Sequence, residues 1–103
     1  MFKFLKKLNA RIRYDEAVNK ANKAFEKTGN RQFVIPMQNG KALIVDRNNF
    51  RELKRKGYIG KNYTINDCMI NAFYRTPLPN GTQAMTDEQK QRGKERFISW
   101  TTR

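Results

Sequence analysis

Cys68, Asp46 and the triplet Glu52-Leu53-Lys54 are the positions whose side-chain types could support covalent or metal chemistry. A cysteine nucleophile needs a base to ionise it, and the chain contains no histidine, which is also the commonest zinc ligand. Cys68 is followed by Met69 and Ile70, so its thiol is expected to be buried, with a raised pKa and low reactivity. Glu52 and Lys54 have the spacing found at the end of a nuclease carboxylate-lysine motif. That motif belongs on a strand beside a metal-binding aspartate, whereas this triplet falls in a helical pattern. Asp46 suits a helix cap better than a metal site. No catalytic, metal or cofactor site emerges, and the chain reads as a non-enzymatic binding module.

Charge says more about what it would bind. Lys and Arg outnumber Asp and Glu by 22 to 9, a formal charge of +13 on 103 residues, far beyond what solubility requires. An acidic partner follows: DNA or RNA first, with acidic protein surfaces and anionic membranes behind. Within an expected helix over 48–56, Arg47, Arg51, Lys54 and Arg55 follow i, i+4, i+7, i+8 spacing, which stacks four cations into one ridge. Like charges so spaced cost a few tenths of a kcal/mol per pair, so the ridge makes most sense if an anion relieves it; the plainer alternative is a solvated helix face. Lys56 and Lys61 bracket the turn Gly57-Tyr58-Ile59-Gly60 and complete the candidate nucleic-acid-binding set. Aromatic residues interleave with the cations at Arg31 and Phe33, Lys56 and Tyr58, Lys61 and Tyr63, and Tyr74 and Arg75, giving phosphate partners beside stacking surfaces. The glycines of the turn match neither the P-loop nor the dinucleotide fingerprint, and no helix-turn-helix is evident.

The elements that would position these residues give an α+β fold in a single domain. An N-terminal helix, continuous or broken near Arg13, leads to one β-hairpin and then three short helices. The hairpin spans 33–45, with Asn39-Gly40 at its tip and a loop over 38–41 that pairs Pro36 with Leu43. Phe33, Ile35, Met37, Ala42 and Ile44 would share one face, with Val34, Leu43 and Val45 on the other, and Pro36 would make its strand an edge. Two stripes lie on opposite sides of the first helix: Leu5, Leu8 and Ile12 on one, and Tyr14, Val18, Ala21 and Phe25, facing the hairpin, on the other. Lys3, Lys6, Lys7, Arg11 and Arg13 lie opposite the Leu5 stripe, so residues 1–13 form a basic amphipathic extension to a core over 14–76. Leu5, Leu8, Ile12 and Trp100 are candidate partner-docking residues. Thr64 opens a third helix running to Tyr74 or Arg75, with Ile65, Met69, Ala72 and Phe73 in the core and Cys68, Ile70 and Tyr74 widening that face. A loop over 77–85 precedes a last helix, 86–103, capped by Thr86 and held only at its C-terminal end, where Trp100 is either a core anchor or an exposed contact. A single cluster of Phe33, Ile35, Ile44, Phe50, Leu53, Val18, Phe25 and Phe73 should form the core, so Phe50→Ala should unfold or severely loosen the chain.

Asn19-Lys20-Ala21-Asn22-Lys23-Ala24, the hairpin with Asp46-Arg47, Leu53-Lys54-Arg55-Lys56-Gly57-Tyr58 and Phe73-Tyr74-Arg75-Thr76-Pro77 resemble segments of short basic proteins from gut bacterial genomes and their phages or mobile elements. The resemblance covers about two thirds of the chain. It implies a phage or mobile-element setting and carries over no functional residue. A lone cysteine fits a reduced, intracellular setting, and no apolar run reaches the length of a membrane span. A cytoplasmic or virion-associated protein is therefore expected. It would bind DNA, RNA or an acidic protein surface, or act as a structural subunit of a homo-oligomer or larger assembly such as a virion.

Overall fold

The first 28 residues contain neither glycine nor proline, and they form one unbroken helix, α1 (Phe2–Thr28). The computed structural model describes residues 2–36 and 42–102, with side chains from Leu5 onward in α1. At 1.5 Å per residue α1 is about 40 Å long, matching the 42 Å long axis of the molecule. The two opposed stripes therefore sit on one continuous helix. Ala10, Tyr14, Ala17 and Ala21 are buried against the body, whereas Leu5, Leu8 and Ile12 remain 42–49 % exposed. Three alanines on the buried face let neighbouring elements come close. Gly29, at φ +73°, then ends the helix, its N–H donating to the Phe25 carbonyl at 2.8 Å.

Strands β1 (Phe33–Pro36) and β2 (Ala42–Val45) form the expected antiparallel pair. The turn expected at Asn39 and Gly40, and Met37 with it, lie outside the described residues. The register differs by one residue from expectation: Pro36 pairs with Ala42 and Ile35 with Leu43. Phe33, Ile35, Leu43 and Val45 thus share one face, and Val34, Ala42 and Ile44 the other. The reason is physical. Both faces of the ribbon are apolar, so a one-residue slip exposes nothing polar to the core and alternation cannot fix the register.

A third strand, β3 (Tyr74–Arg75), pairs with β1 through Phe33 and Arg75 and through Val34 and Tyr74, giving the order β2-β1-β3. The Phe73 N–H donates to the Val34 carbonyl at 2.8 Å and the Thr76 N–H to that of Gln32 at 3.0 Å. β1 is therefore central rather than an edge, and β3 covers it only ahead of Pro36. This also corrects the third helix. α3 (Ile65–Asn71) opens as expected, with Thr64 and Asp67 bonding reciprocally, but ends at Asn71, and Ala72 is already extended. Phe73, Tyr74 and the approach to Pro77 favour extended backbone, and β1 offers them a strand edge. So short a helix buries a narrow stripe, Cys68 at its centre. Met69 and Ile70, expected in the core, are exposed, Ile70 to 73 %.

Helix α2 (Phe50–Arg55) begins two residues later than expected. Asp46 and Asn49 exchange 2.8 Å hydrogen bonds, each backbone N–H donating to the other's side-chain oxygen, and this closes a turn over 47–49 before the helix starts. At the other end Gly57, at φ +85°, donates to the Lys54 carbonyl and Tyr58 to that of Leu53, the Schellman pattern.

Helix α4 (Asp87–Thr101) is capped by Thr86 and Gln89. It is not held only at its C-terminal end. Gly93, in its middle, is buried against β3's lead-in, where a Cβ would overlap the Phe73 carbonyl oxygen. The sheet separates two apolar clusters, not the single one expected. Val34, Ala42 and Ile44 face α1 and α4 with Tyr14, Phe73, Tyr74, Met85 and Phe97. Phe33, Ile35, Leu43 and Val45 face Ile59, Cys68, Ala72 and the partly buried Phe50, Leu53 and Tyr63. Val18 packs with the first cluster. Trp100, partly buried, lies 5.5 Å from the Phe73 ring and 5.9 Å from Phe97, so it anchors α4.

Candidate nucleic-acid interface

Because Phe50 and Leu53 turn toward the sheet, the opposite side of α2 faces solvent. Arg51 and Arg55 are exposed on it, as are Arg47 in the preceding turn and Lys56 and Lys61 beyond it. Six cations and a single carboxylate, Glu52, lie between positions 47 and 61. Glu52 meets Arg55 at 3.3 Å and Lys56 at 3.6 Å, both exposed pairs of small energetic value. The Asp46 carboxylate turns inward instead, accepting from Gln32 at 3.1 Å and from the Asn49 backbone.

Lys54 departs from the ridge. Half-buried, its ammonium lies 5.2 Å from the centre of the Phe50 ring, so the exposed cations of the ridge are Arg47, Arg51 and Arg55, with Lys56 and Lys61 exposed after the helix. Arg47 also borders a cleft of about 420 Å³ shared with Arg31, Phe33, Ile65, Met69 and Leu78. Arg31 is occupied structurally there. Its guanidinium donates to the Thr76 carbonyl at 2.9 Å and to Gln83 at 2.9 and 3.1 Å, pinning the loop before α4 to the start of β1. Burial, and then Arg75, lower its pKa.

The four aromatic–cation neighbours separate by burial. Phe33 is buried beneath Arg31 at 5.7 Å. Tyr74 is buried, its hydroxyl donating to Asn22 at 2.8 Å. Tyr63 is half-buried and donates to the Asp67 carbonyl at 3.2 Å. Tyr58 alone of the four is exposed, to 52 %.

The chemistry-bearing residues of the sequence resolve in the same way. Cys68 is fully buried and its thiol is pushed up to about 11, mainly by burial, so it is protonated at neutral pH. Glu52 is an exposed helical side chain with two cationic partners. Among the described residues, no three His, Cys, Asp or Glu side chains converge as metal ligands would, and no helix is long and apolar enough to cross a membrane. Of the docking candidates, Leu5, Leu8 and Ile12 are half exposed on α1, where every side chain over 5–9 is uncovered.

Two features had no reading in the sequence. Gln32 and Thr76 are fully buried polar side chains joined to Asp46, with Thr76 accepting from the Gln32 backbone at 2.8 Å; long-range strand pairing creates this network. Gly93 carried a signal, since a mid-helix glycine costs about 1 kcal/mol relative to alanine and so implies a close approach.

The chain matches no family model, no curated protein and no solved structure. Geometry and charge are therefore what a functional assignment has to rest on.

Proposed function

We propose that this protein is a non-enzymatic binding module that associates with nucleic acid through phosphate contacts with little sequence preference. The observation that carries the reading is the exposure of Arg47, Arg51, Arg55, Lys56 and Lys61 on and beside α2, with one carboxylate, Glu52, among them and Phe50 and Leu53 packed on the helix's inner side. Each phosphate engaged releases counterions, so log K should fall steeply and linearly with log salt. Fluorescence anisotropy with labelled DNA and RNA across a salt series measures that slope. Salt-independent binding, or displacement by polyglutamate at equal charge concentration, would contradict it.

A second reading rests on the exposed Leu5, Leu8 and Ile12 stripe: a structural subunit of a larger assembly, docked through α1. Sedimentation at micromolar concentration should then show an oligomer that Leu5→Asp with Leu8→Asp dissociates. A monomer unchanged by the double substitution would remove self-assembly.

A further inference from the structure

The turn that ends α2 does more than stop the helix. Gly57 and Tyr58 close it with the two Schellman hydrogen bonds, so the backbone that carries the exposed Tyr58 is tied to the end of the helix that carries Arg51 and Arg55. Beside the ring lies a cleft of about 290 Å³ lined by Ile35, Pro36, Tyr58, Ile59, Gly60 and Tyr63. Its walls are mostly apolar. Tyr63 commits its hydroxyl to the Asp67 carbonyl, and among the described residues nothing lies within 4 Å of where a Cβ on Gly60 would stand. A site of this kind accepts a flat apolar face and offers little to read hydrogen-bonding edges. The exposed Arg51, Arg55 and Lys56, which precede Tyr58 in the chain, call for a polyanion. A duplex satisfies these cations but keeps its base faces stacked inside, whereas a single strand presents phosphates and base faces together. The cleft beside Arg47 lacks an exposed aromatic ring, so the Tyr58 end is the stacking end.

We infer that the ligand is single-stranded nucleic acid, its phosphates along Arg51, Arg55 and Lys56 and one base stacked on Tyr58 in the Tyr58–Tyr63 cleft. This rests on the phosphate-binding reading above. The test is anisotropy with a fluorescent oligothymidylate of about 12 nucleotides, an abasic strand of equal length and a matched duplex. Thymidylate should bind about 10-fold more tightly than either competitor, Tyr58→Ala should erase that advantage without changing the salt slope, and Tyr58→Phe should keep it within about two-fold. Tyr58 is half exposed, so neither substitution threatens the fold. Equal affinity for all three ligands with a neutral Tyr58→Ala would overturn the inference, and a steep salt slope in the same data would leave the phosphate reading standing. No binding of any of them at low salt would remove both.

Discussion

Among the described residues Phe97 is the largest fully buried side chain, in contact with Tyr14, Phe73 and Trp100 at ring distances of 5.4 to 5.9 Å. Truncating such a residue costs about 3–5 kcal/mol, a large part of the roughly 5–15 kcal/mol that holds a domain. Phe97→Ala should therefore unfold the chain or nearly so in a thermal melt. Phe50→Ala, partly buried, should cost only about 1–2 kcal/mol in proportion to the area it covers; the reverse order would mean the two clusters have been weighted wrongly. Tyr14 gives a pH signature. Burial, and then Tyr74 and Asp15, push its hydroxyl from 10 up to about 12, and that hydroxyl lies 3.3 Å from the Phe73 carbonyl. The unfolded chain loses this proton first as pH rises. Its contribution is thus intact below pH 10 and is lost between 10 and about 12, where Tyr14→Phe should show a flatter fall in Tm than the wild type.

At the scale of elements, α4 and the lead-in to β3 approach closely, because Gly93 lets the helix backbone sit against the Phe73 carbonyl. Gly93→Ala gains helix propensity of about 1 kcal/mol but overpacks this contact, so a net loss of about 1–3 kcal/mol is expected from chemical denaturation. A stabilised variant would show that the two elements separate more easily than their packing implies. Elements set by local residue patterns were legible: both capping boxes, the glycine stops at Gly29 and Gly57, and the existence of the hairpin all follow from neighbours in sequence. The hairpin register was not, because Val34 and Leu43 are as apolar as Phe33 and Ile44 and either face could be inward. Nor was β3, whose two residues follow directly on a capped helical segment; their extended preference becomes a strand where β1 offers them an edge. The ridge was legible in outline. Lys54 left it by folding over Phe50, a choice that side-chain packing makes and spacing does not.

Across the whole molecule, the sheet separates two faces with different surroundings. α1 and α4 cover one side, and α3, α2 and Ile59 between them cover the other. The sequence places cations all over the chain, so net charge alone could attract nucleic acid without any defined interface. What distinguishes the proposed interface is position. Arg51 and Lys90 are both exposed helical cations, on α2 and α4 respectively. Replacing either with alanine removes one charge from the same total. The most direct measurement is the salt dependence of oligonucleotide affinity for Arg51→Ala and Lys90→Ala beside the wild type. A phosphate contact at Arg51 predicts a slope shallower by about one unit for Arg51→Ala and unchanged for Lys90→Ala. Equal slopes for the two variants would contradict it, because binding would then follow the total charge and not the α2 cations.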